Sequence, residues 1–125
     1  MPAASPAAAR RLLQRCCRAL DDKKAVELRV LDVSALSTIT SYLILATATS
    51  APHLKALRSA LEEVLDAEHA SLAGVEFGAE SGWLVLDAYE FMAHLFLPKQ
   101  RDYYRLEALW KDAPALEVRE LLAGK

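Results

Sequence analysis

The spacing of hydrophobic residues predicts helices near the start, in the middle and near the end of the chain. Apolar side chains recur at helical spacing over residues 10–20 and again over residues 54–65. This period gives a helix one apolar stripe that can pack on a neighbouring layer. Ser50 precedes the middle helix and is expected to cap it, and Pro52 fits a first turn that needs no amide donor there. Residues 101–110 and the segment after Pro114 repeat the helical spacing.

Five other segments are typical of β-strands. Over residues 25–31, Val26, Leu28 and Val30 alternate with other side chains, which predicts a strand with one buried face near a sheet edge. The unbroken apolar run at residues 42–46 is expected of a central strand that is covered on both faces. Three further strands are predicted at residues 75–77, 83–87 and 91–97.

The order of these elements predicts the fold class. It reads helix, two strands, helix, three strands and two helices, which favours an α+β fold with a mixed β-sheet of about five strands and helices packed on it. The 125 residues suffice for a single domain. We predict a flexible N-terminal lead-in over residues 1–9, the main domain over 10–113 and a C-terminal helical extension over 114–125.

Charge and hydropathy exclude some classes of partner. The formal net charge of −2 argues against a general basic surface for nucleic acid, including DNA, so a protein partner is expected. The longest apolar runs are far shorter than the roughly 20 residues that span a bilayer, so no membrane anchor is predicted. The segment before Asp21 carries arginines and no acid, which is typical of an organelle transit peptide as well as of an ordinary first helix. We favour the helix, in a protein of the bacterial cytoplasm.

Residue patterns that carry catalysis or bind cofactors are missing. The sequence has no P-loop, no glycine-rich dinucleotide loop and no nucleophile elbow. The three histidines do not have metal-ligand spacing, and the adjacent Cys16 and Cys17 do not suit a disulfide, so both cysteines are predicted to be reduced packing residues. We therefore predict that the protein is not an enzyme and uses neither metal nor cofactor.

One enzymatic alternative is a nucleotidyltransferase-fold enzyme acting on a nucleotide. Thr49 and Ser50 stand between a strand and a helix, where amides can hold phosphate. That chemistry also needs paired carboxylates that bind two metal ions. Glu76 and Asp87 are the candidates, but neither has a second carboxylate two positions further along.

Large aromatic residues concentrate in the C-terminal part of the chain, and Trp83 is the most informative of them. Trp and Tyr anchor protein interfaces because they offer large contact areas at little entropic cost. Packing in the core is the other interpretation, and it is favoured for Trp110. Trp83 opens a strand after Gly82, and for this residue both interpretations stay open; as a contact residue it would lie at the rim of an apolar patch. A self-associating scaffold, joined through a sheet edge, would also use such residues.

Two stretches resemble signatures of the RsfS/Iojap family. The first includes Asp32-Val33-Ser34, Tyr42-Leu43-Ile44 and Thr47-Ala48-Thr49-Ser50. The second, more specific one includes Gly82-Trp83-Leu84-Val85-Leu86-Asp87, His94-Leu95-Phe96, and Arg101-Asp102-Tyr103-Tyr104-Arg105-Leu106-Glu107-Ala108-Leu109-Trp110. Together they span roughly residues 25–113, which is nearly all of the predicted domain.

The resemblance implies a nucleotidyltransferase-like topology without transferase chemistry. It also implies a ribosomal silencing factor, which binds a large-subunit ribosomal protein of the L-fourteen family, blocks association with the small subunit and represses translation under nutrient limitation. A homodimer away from the ribosome is compatible with this function. The partner-binding residues that the resemblance implies are Trp83, Asp87, Ala88, His94, Tyr103, Tyr104, Leu106, Glu107 and Trp110.

The sequence departs from the family pattern at four positions. Ser41 replaces an Asp, Ala48 replaces a Gly, and Tyr89 and Glu90 replace the Gly-Asp pair of a turn. A Tyr resists the positive φ that Gly adopts, so another turn type is expected at that reversal. The departures leave the strength of silencing open.

Overall fold

The computed structural model describes residues 6–35, 40–68, 70, 74–76, 82–88, 91–99 and 112–123. The predicted helix at residues 101–110 lies outside these ranges. The described elements, in chain order, are α1 (Pro6–Asp22), β1 (Val26–Asp32), β2 (Tyr42–Thr47), α2 (Ala51–Ala67), β3 (Gly74–Glu76), β4 (Trp83–Asp87), β5 (Phe91–Phe96), β6 (Ala115–Leu116) and α3 (Val118–Leu122).

The strands form one mixed sheet in the order β3-β4-β5-β2-β1-β6. Among the described strands only β2 and β5 run parallel, and the other neighbouring pairs are antiparallel. The mixed α+β fold is therefore confirmed, with β2 inside the sheet and β1 one strand from its edge. The very short β6 adds a sixth strand because Ala115 and Leu116 pair with Leu31 and Val30.

The middle helix, α2, begins where local chemistry favours a helix start. The Ser50 side chain accepts a hydrogen bond from the His53 amide at 3.2 Å, and Pro52 lies in the first turn. Leu54, Leu57 and Leu61 are completely buried, as the predicted stripe requires. Both the cap and the buried face are thus confirmed, and α2 covers one side of the sheet.

The first helix, α1, begins at Pro6, four positions before the start that the hydrophobic period predicts. Its buried face contributes Leu13, Cys16, Cys17 and Leu20 to the main core cluster. The two cysteines are free and completely buried, as predicted. Burial raises the pKa of the Cys17 thiol to about 12 and that of Cys16 further still. None of the described helices is long and apolar enough to cross a membrane.

The strand β1 departs from the predicted alternation at a β-bulge. Val26 pairs with Thr47 and Arg29 with Leu45, so the register shifts between them, and Glu27 adopts a φ of 50°. An extra residue in one strand moves the residues before it to the opposite face. The expectation that Val26 shares a buried face with Leu28 and Val30 is therefore wrong. Val26 is 40% exposed, whereas Val30 is completely buried.

Candidate functional site

The helices α1 and α2 pack on one face of the sheet. Side chains on one face, including Leu84 and Leu86 of β4, join the core cluster that contains the buried residues of α1 and α2. Because side chains alternate along a strand, the intervening Trp83, Val85 and Asp87 lie on the opposite face. We call this opposite face the Trp83 face. It is formed by Trp83, Val85, Asp87, Met92, His94, Phe96, Leu43, Leu45, Leu31 and Val26.

The Trp83 face combines a buried apolar floor with partly exposed polar groups. Leu45 and Phe96 are buried in a second hydrophobic cluster, and Trp83 and Met92 pack against it while remaining partly exposed. The strand register aligns Trp83 with Phe96, and Phe96 with Thr47 of β2. Trp83 therefore lies at the rim of an apolar patch, which is one of the two positions that the sequence left open for it.

Three rings pack together at this rim. The Trp83 and Phe96 rings stack with centroids 5.4 Å apart and an angle of 26° between their planes. The His94 ring lies 5.9 Å from Trp83 and 6.2 Å from Phe96. The Trp83 indole Nε1 donates a hydrogen bond to His94 Nδ1 at 3.2 Å. The indole is thus held by a ring stack on one side and a polar contact at its edge.

His94 is neutral in this arrangement. An indole N–H can only donate, so Nδ1 must be unprotonated and the proton of the neutral ring lies on Nε2. Burial lowers the pKa of His94 from 6.5 to about 4. The hydrogen bond that Trp83 donates acts in the same direction, because it stabilises the neutral form.

The other predicted interface residues divide into those near Trp83 and those elsewhere. Asp87 lies on the Trp83 face at the far end of β4, opposite Met92. Ala88 is buried in the core cluster on the helix-covered side, and its amide donates to the Phe91 carbonyl at 3.0 Å across the β4–β5 reversal. Outside the described residues lie five predicted contacts, Tyr103, Tyr104, Leu106, Glu107 and Trp110, and the departures Tyr89 and Glu90.

The groups required by the nucleotidyltransferase alternative do not meet. Ser50 follows the end of β2 that is level with Phe96 and Trp83, whereas Asp87 is level with Leu43 at the other end. The Ser50 hydroxyl caps α2, and the Thr49 amide donates to His53 Nδ1 at 2.9 Å, so both groups bond within the chain. Among the described residues there is no cluster of three side chains that could hold a metal ion.

Two features of the site are not predicted from the sequence. Phe96 is not among the predicted contact residues, although it forms the floor on which Trp83 stacks. The bond between Trp83 and His94 is the second feature. Alternation along β5 indicates that His94 and Phe96 share a face, but only the β4–β5 register brings Trp83 beside both.

Comparisons with known proteins agree on one family. The family described as "Ribosomal silencing factor during starvation" matches residues 6–125. The chain is 29% identical over 112 residues to the ribosomal silencing factor RsfS of Halalkalibacterium halodurans, covering 90% of this chain and 96% of that protein. It is 39% identical over 93 residues to RsfS of Chromobacterium violaceum, covering 74% and 75%. A crystal structure of a Chromobacterium violaceum protein superposes with a TM-score of 0.76 at 35% identity, covering 80% of this chain and 83% of the other.

Proposed function

The chain belongs to the family of ribosomal silencing factors, and we propose that it represses translation by binding the large ribosomal subunit. The proposed partner is the large-subunit ribosomal protein of the L-fourteen family. Bound there, the protein hinders association with the small subunit under nutrient limitation. The proposed compartment is the bacterial cytoplasm.

The observation that carries this proposal is the position of Trp83. Its indole is partly exposed at the rim of a buried apolar cluster and is already held by Phe96 and His94. A large aromatic side chain fixed before binding loses little entropy when a partner covers it. Trp83 therefore has the properties of an interface anchor on a chain whose net charge favours a protein partner over phosphate.

The proposed contact residues have different roles. Trp83 and Asp87 lie on the same sheet face and are proposed to touch the partner. Ala88 is proposed to support the contact from below, because its side chain is only 3% exposed. Tyr103, Tyr104, Leu106, Glu107 and Trp110 are proposed as further contacts by resemblance to the family.

The proposed mechanism is steric and needs no bond to be made or broken. A protein that occupies part of the joining surface lowers subunit association in proportion to its occupancy. The relatives reported above are named as silencing factors, which favours a regulatory protein over an enzyme. We also propose that copies not bound to the ribosome can form a homodimer.

Co-sedimentation with purified ribosomal subunits tests the proposal. The wild-type protein is expected to migrate with the large subunit, and Trp83→Ala to bind about thirtyfold more weakly, as a lost interface hot spot does. Lys55→Ala is the matched control, because Lys55 is exposed on α2, across the sheet from Trp83. Wild-type protein that stays at the top of the gradient would refute the proposal. Equal weakening by both substitutions would refute the role of Trp83.

A further inference from the structure

We propose that His94 is a positioning residue for docking, because it accepts the indole N–H of Trp83 and thereby sets which edge of Trp83 meets the partner. This inference rests on the proposed function and deepens it. It assigns His94 an indirect role, in which the effect of His94 on binding passes through Trp83.

The donor and acceptor chemistry fixes one arrangement of the two rings. The Trp83 indole has a single polar hydrogen and no acceptor, so its Nε1 must find an acceptor or remain unpaired. His94 Nδ1 lies 3.2 Å away and supplies that acceptor. The pairing is available only in the neutral ring with its proton on Nε2, since a proton on Nδ1 would face the indole N–H.

The stack on Phe96 does not by itself fix the Trp83 ring. A stacked indole keeps most of its contact if it flips by half a turn about its Cβ–Cγ bond, since the attraction between two faces is weakly directional. Phe96 is 1% exposed and is part of the floor, so it fixes only the plane on which Trp83 rests. The bond to His94 turns the N–H edge of the indole towards His94, and the opposite edge then faces away from His94.

The cross-strand geometry explains why His94 can reach Trp83. His94 pairs with Val85 and Phe96 with Trp83, so His94 is the diagonal neighbour of Trp83 on the same face. Diagonal neighbours lie within reach of large side chains. The residue at 94 therefore supplies an acceptor for the indole N–H, while the residue at 96 supplies the floor on which the ring stacks.

A double-mutant cycle on large-subunit affinity tests this role. The variants are Trp83→Phe, which keeps an aromatic ring without the N–H, and His94→Leu, which removes the acceptor. His94→Asn is the conservative variant, because its Oδ1 lies near the position of Nδ1. We expect His94→Leu to weaken binding about fivefold, as for one lost hydrogen bond, and His94→Asn to restore most of the affinity. In the Trp83→Phe background, His94→Leu should weaken binding no further.

The outcomes separate this inference from the proposed function. If the wild-type protein does not bind the large subunit, the proposed function is overturned. If the wild type binds and the two substitutions weaken binding independently, only the positioning role is overturned, because His94 would then contribute without Trp83. Nitrogen-15 shifts of the His94 ring in the free protein provide a readout without ribosomes. An unprotonated, hydrogen-bonded Nδ1 supports the inference, and a protonated Nδ1 contradicts it.

Discussion

Acidification should destabilise the protein through His94 before most carboxylates titrate. The pKa of His94 is about 4 in the folded protein and 6.5 without the protein environment. Below pH 6.5 the unfolded chain binds a proton that the folded chain excludes, so the free energy of unfolding falls as the pH falls towards 4. Above pH 6.5 both states are neutral at this residue and the contribution is constant.

The size of the effect follows from the two pKa values. His94 has a pKa of 6.5 without the protein environment and about 4 in the folded protein. This difference lowers the free energy of unfolding by about 2 kcal/mol between pH 7 and pH 5. The structural reason is that a proton on Nδ1 would displace the indole N–H and place a charge in a largely apolar site. Asp87 and Arg29 are charged residues on neighbouring parts of the same sheet. Their contribution to the pH dependence of stability is the same in the wild type and in a His94 variant.

Urea unfolding at pH 7 and pH 5 measures this effect. We expect the wild type to lose about 2 kcal/mol more than His94→Asn over this interval, because Asn cannot titrate. His53→Asn is the control for a histidine on another element. If the free energy of unfolding of His94→Asn falls as much between pH 7 and pH 5 as that of the wild type, the lowered pKa of His94 is refuted.

Three further predictions concern the supporting fold. Ser50→Ala should lower the free energy of unfolding by about 1 kcal/mol in urea titration because it removes a helix cap, while Ser59→Ala, exposed within α2, should not. Leu57→Ala should cost about 3 kcal/mol by the same measurement because it opens a cavity in the core, and a cost below 1 kcal/mol would contradict its burial. Cys16 and Cys17 should react with iodoacetamide far more slowly in native protein than in urea, as mass spectrometry would show.

Long periodic segments made much of the fold predictable. The apolar face of α2 and its cap depend on residues close together in the sequence. Ser50 could therefore be predicted as the helix cap, and Leu57 as a buried residue, without knowledge of any tertiary contact. The apolar run in β2 also indicated a strand inside the sheet, since both of its faces need cover. These features are local, and local chemistry determines them.

The features that were missed depend on pairing between distant residues. The β6 strand forms because Ala115 and Leu116 pair with β1. A strand of two residues is too short to show the alternation of apolar and polar side chains that predicts longer strands. The bulge that exposes Val26 requires a positive φ at Glu27. Glu rarely adopts a positive φ, so the residue type gives no reason to predict the bulge. The contact between Trp83 and His94 likewise requires the register of the β4–β5 hairpin. The sequence predicted Trp83 and His94 as candidate contact residues but not the bond between them.

A subunit-joining assay followed by light scattering tests directly whether the protein blocks association of the two ribosomal subunits. Purified large subunits are incubated with the protein before small subunits are added, and the joined fraction is measured at increasing protein concentration. We expect the wild type to lower this fraction in step with its occupancy of the large subunit, and Trp83→Ala to require about thirtyfold more protein for the same effect. Undiminished joining on large subunits saturated with the wild-type protein would contradict this expectation.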